Sequence, residues 1–254
     1  MIRKLFLLFF LLVACSSPQN GTEQKVLKVI DGDTIKLSGG KLLRYIGIDT
    51  PEVRIKKKNN FVYSPQPFAL EAKEYNQQLV LGKTVKIEYD IEKKDRYGRI
   101  LGYCYVDGVF INAKLLEEGY AVVYTYPPNV KHANLFYKLQ TEAREQNKGL
   151  WGSYEIIFSE DAQLYVGQIK TVRGYVKSTY QSSKCVFLNF GEDWQTDFTV
   201  VVFNNSIESF RKKGVDPLLF YRGKLVEITG RIREYNGPEI IVNTPEEIMV
   251  VNSE

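Results

Sequence analysis

The sequence predicts a mainly β protein with helices, built as a mixed β/α domain followed by a smaller β domain. Three observations carry this. The chain has 254 residues, long for one small domain and comfortable for two. Short segments of alternating apolar and polar residues, the period of a half-buried strand, recur through both halves. Helix-period segments are concentrated before residue 152, and the pattern changes after Gly152.

The chain opens on a processing segment. Arg3 and Lys4 form a basic start, and Leu5 to Ala14 is an apolar run of ten residues. That is short for a bilayer span, so residues 1–14 are expected to be a signal peptide. The run ends Leu-Val-Ala-Cys, which resembles the bacterial lipobox. By that resemblance Cys15 carries the lipid anchor of an exported envelope protein, on the outer membrane or cell surface. The plainer reading is an ordinary signal peptide with an incidental cysteine. Residues 15–24 are polar, with Pro, Asn and Gly, and read as a tether.

Residues 25–152 alternate strands and helices. KVLKVID, DTIKLSG and KLLRYIGID read as strands, with Asp31-Gly32 suiting a tight turn of positive φ. PEVRIKKKNNFVYSPQP reads as a basic, proline-containing loop, and FALEAKEYNQQLVLG as a helix ending near Gly82. KTVKIEYDI and ILGYCYVDGVFI are strands joined by the polar turn EKKDRYGR. NAKLLEEG is a short helix with Asn112 as N-cap and Gly119 past its end. AVVYTYPPNVKHA is a loop, and NLFYKLQTEAREQNKG an amphipathic helix with His132 at its start. Residues 160–254 hold five strand-like segments, with one helix, SIESFRKKG, before the fourth. That order resembles an OB-fold barrel.

Composition narrows the chemistry. At 44% hydrophobic and 25% charged the chain is globular, and a net charge of +4 says little about partners. A single histidine, His132, argues against mechanisms that need imidazoles in set places. Catalysis is therefore expected from carboxylates, arginines and an oxygen-liganded metal. Cys104 and Cys185 lie in strand-like segments and read as buried apolar residues.

Five short motifs stand in order between residues 26 and 151. They are DGDT at Asp31 to Thr34, LRYIGIDTPE at Leu43 to Glu52, DRYGR at Asp95 to Arg99, YTYPP at Tyr124 to Pro128, and a last helix ending NKGLWG. Each is weak alone. Together, at these intervals, they resemble the staphylococcal (micrococcal) nuclease family over the whole domain. The resemblance implies a five-stranded OB-type barrel with three helices. It also implies a calcium-dependent nuclease that cuts DNA and RNA with little sequence specificity, leaving 3′-phosphate and 5′-hydroxyl ends. By resemblance Asp33, Asp49 and the Thr50 carbonyl hold Ca²⁺, Glu52 is the base, and Arg44 and Arg99 bind the phosphate. Arg96, Tyr97, Tyr124 and Tyr126 match positions that hold the terminal phosphate and stack on the nucleotide. The family commonly has lysine where this chain has Arg96.

The residue types support that chemistry independently. Phosphodiester hydrolysis needs a nucleophilic water and a counter-charge for the phosphate. Asp33 and Asp49 are hard oxygen donors at strand edges, where a barrel brings them to one rim. Pro51 keeps Thr50 extended, which can aim its carbonyl inward. Glu52 is three residues beyond Asp49 and placed to orient or deprotonate water. Arg44 and Arg99 are permanently charged forks suited to phosphate oxygens. Taken singly, Asp33 is a turn acid, Arg99 a surface arginine and Arg44 a cross-strand partner; joint occurrence favours the site. The turn pair Asp31-Gly32 is expected to make the hairpin while Asp33 points at the cation.

The remaining features are less specific. Lys56 to Lys58 could steer a phosphate backbone or simply be solvated. In the second domain Tyr175, Tyr180, Phe187, Phe190 and Tyr235 alternate in strands beside Arg173, Lys177, Arg231 and Arg233. Outward members of that set would bind single-stranded nucleic acid; otherwise the domain is a spacer or a protein-docking barrel. The expected partners are DNA and RNA, single strands favoured, and the membrane through Cys15, with no protein partner. Two rivals stand: a non-catalytic nucleic-acid-binding module, and an envelope-interaction lipoprotein whose second barrel carries the function.

Overall fold

The computed structural model describes residues 21–57, 60–152 and 155–251. The expected signal peptide and Cys15 lie outside the described residues, as does Lys58 of the basic run. No helix among the described residues is long and apolar enough to cross a membrane.

The first unit contains β1 Gly21–Val29, β2 Thr34–Leu37, β3 Leu42–Tyr45, β4 Gly47–Asp49, β5 Arg54–Lys57 and β6 Asn60–Tyr63. There follow α1 Ala69–Val80, β7 Thr84–Glu88, β8 Ile100–Val106, β9 Val109–Phe110, α2 Ile111–Glu117, β10 Val122–Tyr124 and α3 Ala133–Glu145. Hydrogen bonding runs β3-β2-β1-β7-β8, and a parallel β3–β8 pairing closes the five strands into a barrel. Alternation explains the closure. Val29, Ile35, Leu37, Leu43, Tyr45 and Ile87 point into the core, while their neighbours Lys28, Lys36 and Leu42 stay at or near the surface. The five-stranded barrel with three helices is the expected one.

Several local expectations are corrected. β1 already begins at Gly21, where it pairs with Glu88, so the strand starts inside the expected tether. The basic loop is a β5–β6 hairpin, in which Arg54 pairs with Tyr63 and Lys57 with Asn60. Asn112 does not cap α2; Phe110 takes that place. The Asn112 side chain is buried, accepts from Cys104 N at 2.9 Å and donates to the Ile46 carbonyl at 2.8 Å. It satisfies two buried main-chain groups, which outweighs a cap. Cys104 and Cys185 are buried and free, as expected.

The second unit contains β11 Ile156–Phe158, β12 Ile169–Tyr175, β13 Ser178–Gln181, β14 Cys185–Asn189, β15 Thr199–Phe203, α4 Asn204–Lys212 and α5 Pro217–Phe220. β16 Leu225–Arg231, β17 Arg233–Glu234, β18 Pro238–Val242 and β19 Ile248–Val250 complete it. α4 is the expected helix; α5 adds a turn, capped by Asp216, whose carboxylate accepts from Leu218 N. The hydrogen bonding forms two sheets, β11-β12-β16-β19 and β13-β14-β15-β18-β17, around one core. Two strand pairs pass from one sheet to the other, β12 into β13 and β16 into β17, so the sheets meet at corners. At the second corner Ile232 is fully buried. Its neighbours Arg231 and Arg233 therefore emerge together on the outside, toward the first unit.

The two units are docked. Val122, Ala143, Leu150 and Trp151 of the first form an apolar cluster with Ile169 of the second. Asn243 donates to the Thr125 carbonyl at 2.6 Å, and Thr244 Oγ1 bonds Tyr137 Oη at 2.9 Å. Glu227 is buried between Arg144 of the first unit and Arg173 of its own sheet. Burial alone would raise the Glu227 pKa; the two guanidinium groups reverse this and hold it below the ordinary carboxylate value. A depressed folded-state pKa contributes stability that is present above the unfolded value and lost as pH falls through the folded one. The wild type is expected to lose this contribution below about pH 4.5. Glu227→Gln should be less stable by about 3 kcal/mol at neutral pH and lack that acid-limb slope, as read by urea unfolding. Equal stability and slope in the two proteins would contradict the pairing.

Candidate active site

The DGDT turn is built to hold Asp33. Ile30 N donates to the Thr34 carbonyl at 2.9 Å, which closes the β1–β2 hairpin. Asn76 on α1, itself held by Tyr45, donates to the Asp31 carbonyl at 3.3 Å. Gly32 does not adopt positive φ, contrary to expectation. Its need is space, because a Cβ there would stand 2.8 Å from the Thr50 side chain. The close approach lets Thr50 N donate to Asp33 Oδ2 at 3.0 Å, while Thr34 Oγ1 donates to Oδ1 at 2.9 Å.

Strand register then brings an arginine under this acid. Thr34 pairs with Arg44 across β2 and β3. Arg44 Nη1 lies 2.9 Å from Asp33 Oδ2 and Nη2 lies 2.8 Å from Asp49 Oδ1. The same guanidinium donates to the Tyr45 and Ile48 carbonyls at 3.0 and 2.8 Å. At the start of β4 Gly47 turns the chain at φ 82°, with the Phe136 ring where a side chain would go. β4 follows, pinned to β10 by pairing of Asp49 with Val122, and delivers Asp49 and Thr50 to the barrel rim.

The second oxygen of Asp49 is met from the other unit. Arg231, the last residue of β16, donates from Nε to Asp49 Oδ2 at 2.9 Å and from Nη2 to the Thr50 carbonyl at 2.8 Å. Its Nη2 lies 3.7 Å from Glu52 Oε1, and its Nη1 donates to the Gly167 carbonyl at 2.8 Å and Gln66 Oε1 at 3.2 Å. Gln66 splints the junction: its Oε1 also accepts from Glu52 N at 2.9 Å and its Nε2 donates to the Gly167 carbonyl at 2.6 Å.

Acids outnumber bases here. Asp31, Asp33, Asp49 and Glu52 face two guanidinium groups, Arg44 and Arg231. Burial raises the Asp31 pKa from its ordinary value, and the Glu52 charge adds to it. Burial raises Asp33 as well, opposed by Arg44 and reinforced by Asp31 and Asp49. Glu52, whose side chain is 42% exposed, is pushed up to about 7 by partial burial and by Asp33. Such an excess of negative charge favours a bound cation. No three His, Cys, Asp or Glu side chains among the described residues are arranged to hold a metal by themselves. The expected donor set is two carboxylates with a main-chain carbonyl, and the Asp49 and Thr50 oxygens converge on one cationic group, Arg231. That chemistry fits a hard, oxygen-liganded divalent ion.

The other expected site residues are more dispersed. Arg99 is paired with Asp95 in its own turn at 2.6 Å rather than with the acid cluster. Arg96 stacks over Tyr97 at 4.8 Å, and Tyr97 and Tyr126 are exposed. Tyr124 Oη is bonded by Arg233 Nη2 at 2.7 Å, again from the second unit. His132 stands at the start of α3, 3.3 Å from Glu88 and edge-on to Tyr103, away from the acids. In the second unit Tyr180, Phe187 and Tyr235, with Trp194, line a groove of about 580 Å³; Tyr175 is exposed and Phe190 is core. Asp31, Gln66 and Arg231 are the residues that sequence reasoning did not place in the site. Of these only Arg231 is singled out by the sequence, as a contact for single-stranded nucleic acid; its guanidinium is instead bonded to Asp49 and the Thr50 carbonyl.

The approach of Gly32 to Thr50 has a measurable consequence. Gly32→Ala should be destabilised by about 1–3 kcal/mol in thermal unfolding, because the Thr50 side chain it meets is buried and has little room to shift. An unchanged midpoint would show that the turn does not press on Thr50.

Comparison with known proteins assigns the first unit. The model of the family described as staphylococcal nuclease homologue matches residues 42–153. A thermonuclease of Staphylococcus hyicus is 40% identical over 139 residues, covering 53% of this chain and 79% of that protein. The thermonuclease of Staphylococcus intermedius is 37% identical over 139 residues, covering 54% and 80%. The SPbeta prophage-derived endonuclease YokF of Bacillus subtilis is 40% identical over 129 residues, but the match spans only 42% of its length. With its barrel closed as expected and most of a thermonuclease covered at 40% identity, the chain belongs to the staphylococcal nuclease family.

Proposed function

We propose that this chain is a calcium-dependent nuclease that hydrolyses phosphodiester bonds of DNA and RNA with little sequence specificity. The observation that carries the reading is the convergence of Asp33, Asp49, the Thr50 carbonyl, Glu52 and Arg44 at one rim of the first barrel. Membership of a family whose matched relatives are named thermonucleases and endonucleases supports it. Asp33, Asp49 and the Thr50 carbonyl would hold calcium, which supplies a counter-charge for the phosphate and makes a bound water more acidic.

The chain's own groups account for the rest. Glu52 is half-exposed beside the donors, which places its carboxylate to take a proton from the attacking water. The water oxygen bonds to phosphorus as the bond to the 5′ oxygen breaks; that oxygen takes a proton from solvent, leaving a 3′-phosphate and a 5′-hydroxyl. Arg44 and Arg99 act as forks for the non-bridging oxygens, each exchanging a carboxylate partner for phosphate. Arg96 is assigned to the terminal phosphate. Tyr97, Tyr124 and Tyr126 offer rings on which bases of a single strand stack, at about 1–3 kcal/mol per base whatever the sequence. In the same reading residues 1–14 are removed and Cys15 anchors the protein to the outside of the envelope.

Two variants test this. The wild type should cut single-stranded DNA with calcium and not with a chelator, and Glu52→Gln should lose about 10²–10⁴-fold in kcat while still binding calcium. Arg44→Gln should lose at least as much. Chelator-resistant cleavage, or full activity in Glu52→Gln, contradicts the mechanism; calcium binding without cleavage by the folded wild type favours the non-catalytic binding module.

A further inference from the structure

We infer that Arg231 is a tethered cation that competes with the divalent metal for Asp49 and the Thr50 carbonyl, so that docking of the second unit at this rim and metal loading oppose one another. The inference rests on the reading of this rim as a calcium site.

Three observations carry it. The first is occupancy. Arg231 Nε and Nη2 already use Asp49 Oδ2 and the Thr50 carbonyl, two of the three oxygens assigned to the metal, at 2.9 and 2.8 Å. A dication drawing on the same oxygens would face a guanidinium at contact distance, in a site where Arg231 is only 17% exposed and water screens poorly. The second is charge. Arg231 supplies one of the two positive charges set against four acids, so replacing it by a dication brings the rim closer to neutrality. The exchange is therefore favourable when metal is plentiful and reverses when it is scarce.

The third is mechanical. Arg231 has two sets of partners on opposite edges of its fork. Nη1 is held by the Gly167 carbonyl and Gln66, whereas Nε and Nη2 are held by the acid rim. Release of the second set leaves the first, so the side chain can withdraw without unfolding the corner at Ile232. Arg233, two residues on and on the same side of the strand, bonds Tyr124.

Calcium titration of the metal-free whole chain by calorimetry tests the competition. Arg231→Gln should bind calcium about tenfold tighter than wild type, and Arg231→Lys should fall between them. Linkage requires the reciprocal effect: saturating calcium should speed hydrogen exchange of the Arg231 Nε–H proton of the wild type, which Asp49 holds, as read by NMR. That second measurement needs no variant and decides the matter if Arg231→Gln does not fold. Equal or weaker calcium affinity in folded Arg231→Gln, or unchanged exchange at saturating calcium, overturns the competition alone. Absence of calcium binding in every form overturns the calcium reading and this inference with it.

Discussion

The Asp49 carboxylate holds the structure's two halves and its candidate chemistry at one point. One oxygen takes Arg44 of the first barrel and the other takes Arg231 of the second unit. It can do so because β4 is short and clamped: Gly47 turns the chain sharply into it, β10 pairs along it, and Pro51 ends it. A buried carboxylate shared by two guanidinium groups is stable only while both remain, since a buried charge without a partner costs several kcal/mol. The rim is therefore set up for exchange of cations rather than for their removal.

The fold supplies those cations by simple alternation. In the first barrel, cross-strand register puts Arg44 opposite Thr34 and hence beside Asp33. In the second unit, a buried Ile232 at the sheet corner forces Arg231 and Arg233 outward as a pair. The surrounding contacts, from the Ile169–Trp151 cluster to Asn243 on Thr125, bring that corner to the rim. The second unit is thus part of the site's electrostatics, whatever its aromatic groove takes up.

Much of the site was legible because its residues sit in short, ordered motifs whose local backbone does the positioning. Asp33, Asp49, Thr50, Glu52 and Arg44 lie within twenty residues of one another, and a hairpin plus one turn suffices to gather them. Arg231 is 182 residues from Asp49 in sequence, and nothing local encodes a contact made only by docking. Gly32 reads as a conformational glycine, but Thr50 lies just past the end of β4, eighteen residues on, so the need for space at Gly32 has no local signal. Asn112 reads as a cap for the same reason: its partners, Cys104 in β8 and Ile46 between β3 and β4, lie outside its helix. Arg99 shows the opposite case, since its motif is local and so is its ion pair with Asp95.

A crystal structure of the whole chain grown with calcium, with the ion located by its anomalous scattering, tests the central claim most directly. The account predicts a cation about 2.3–2.6 Å from oxygens of Asp33, Asp49 and the Thr50 carbonyl. It also predicts that the Arg231 guanidinium has left Asp49 and Thr50 while keeping Gly167. Calcium bound elsewhere, or not at all, with Arg231 still on both oxygens would contradict it.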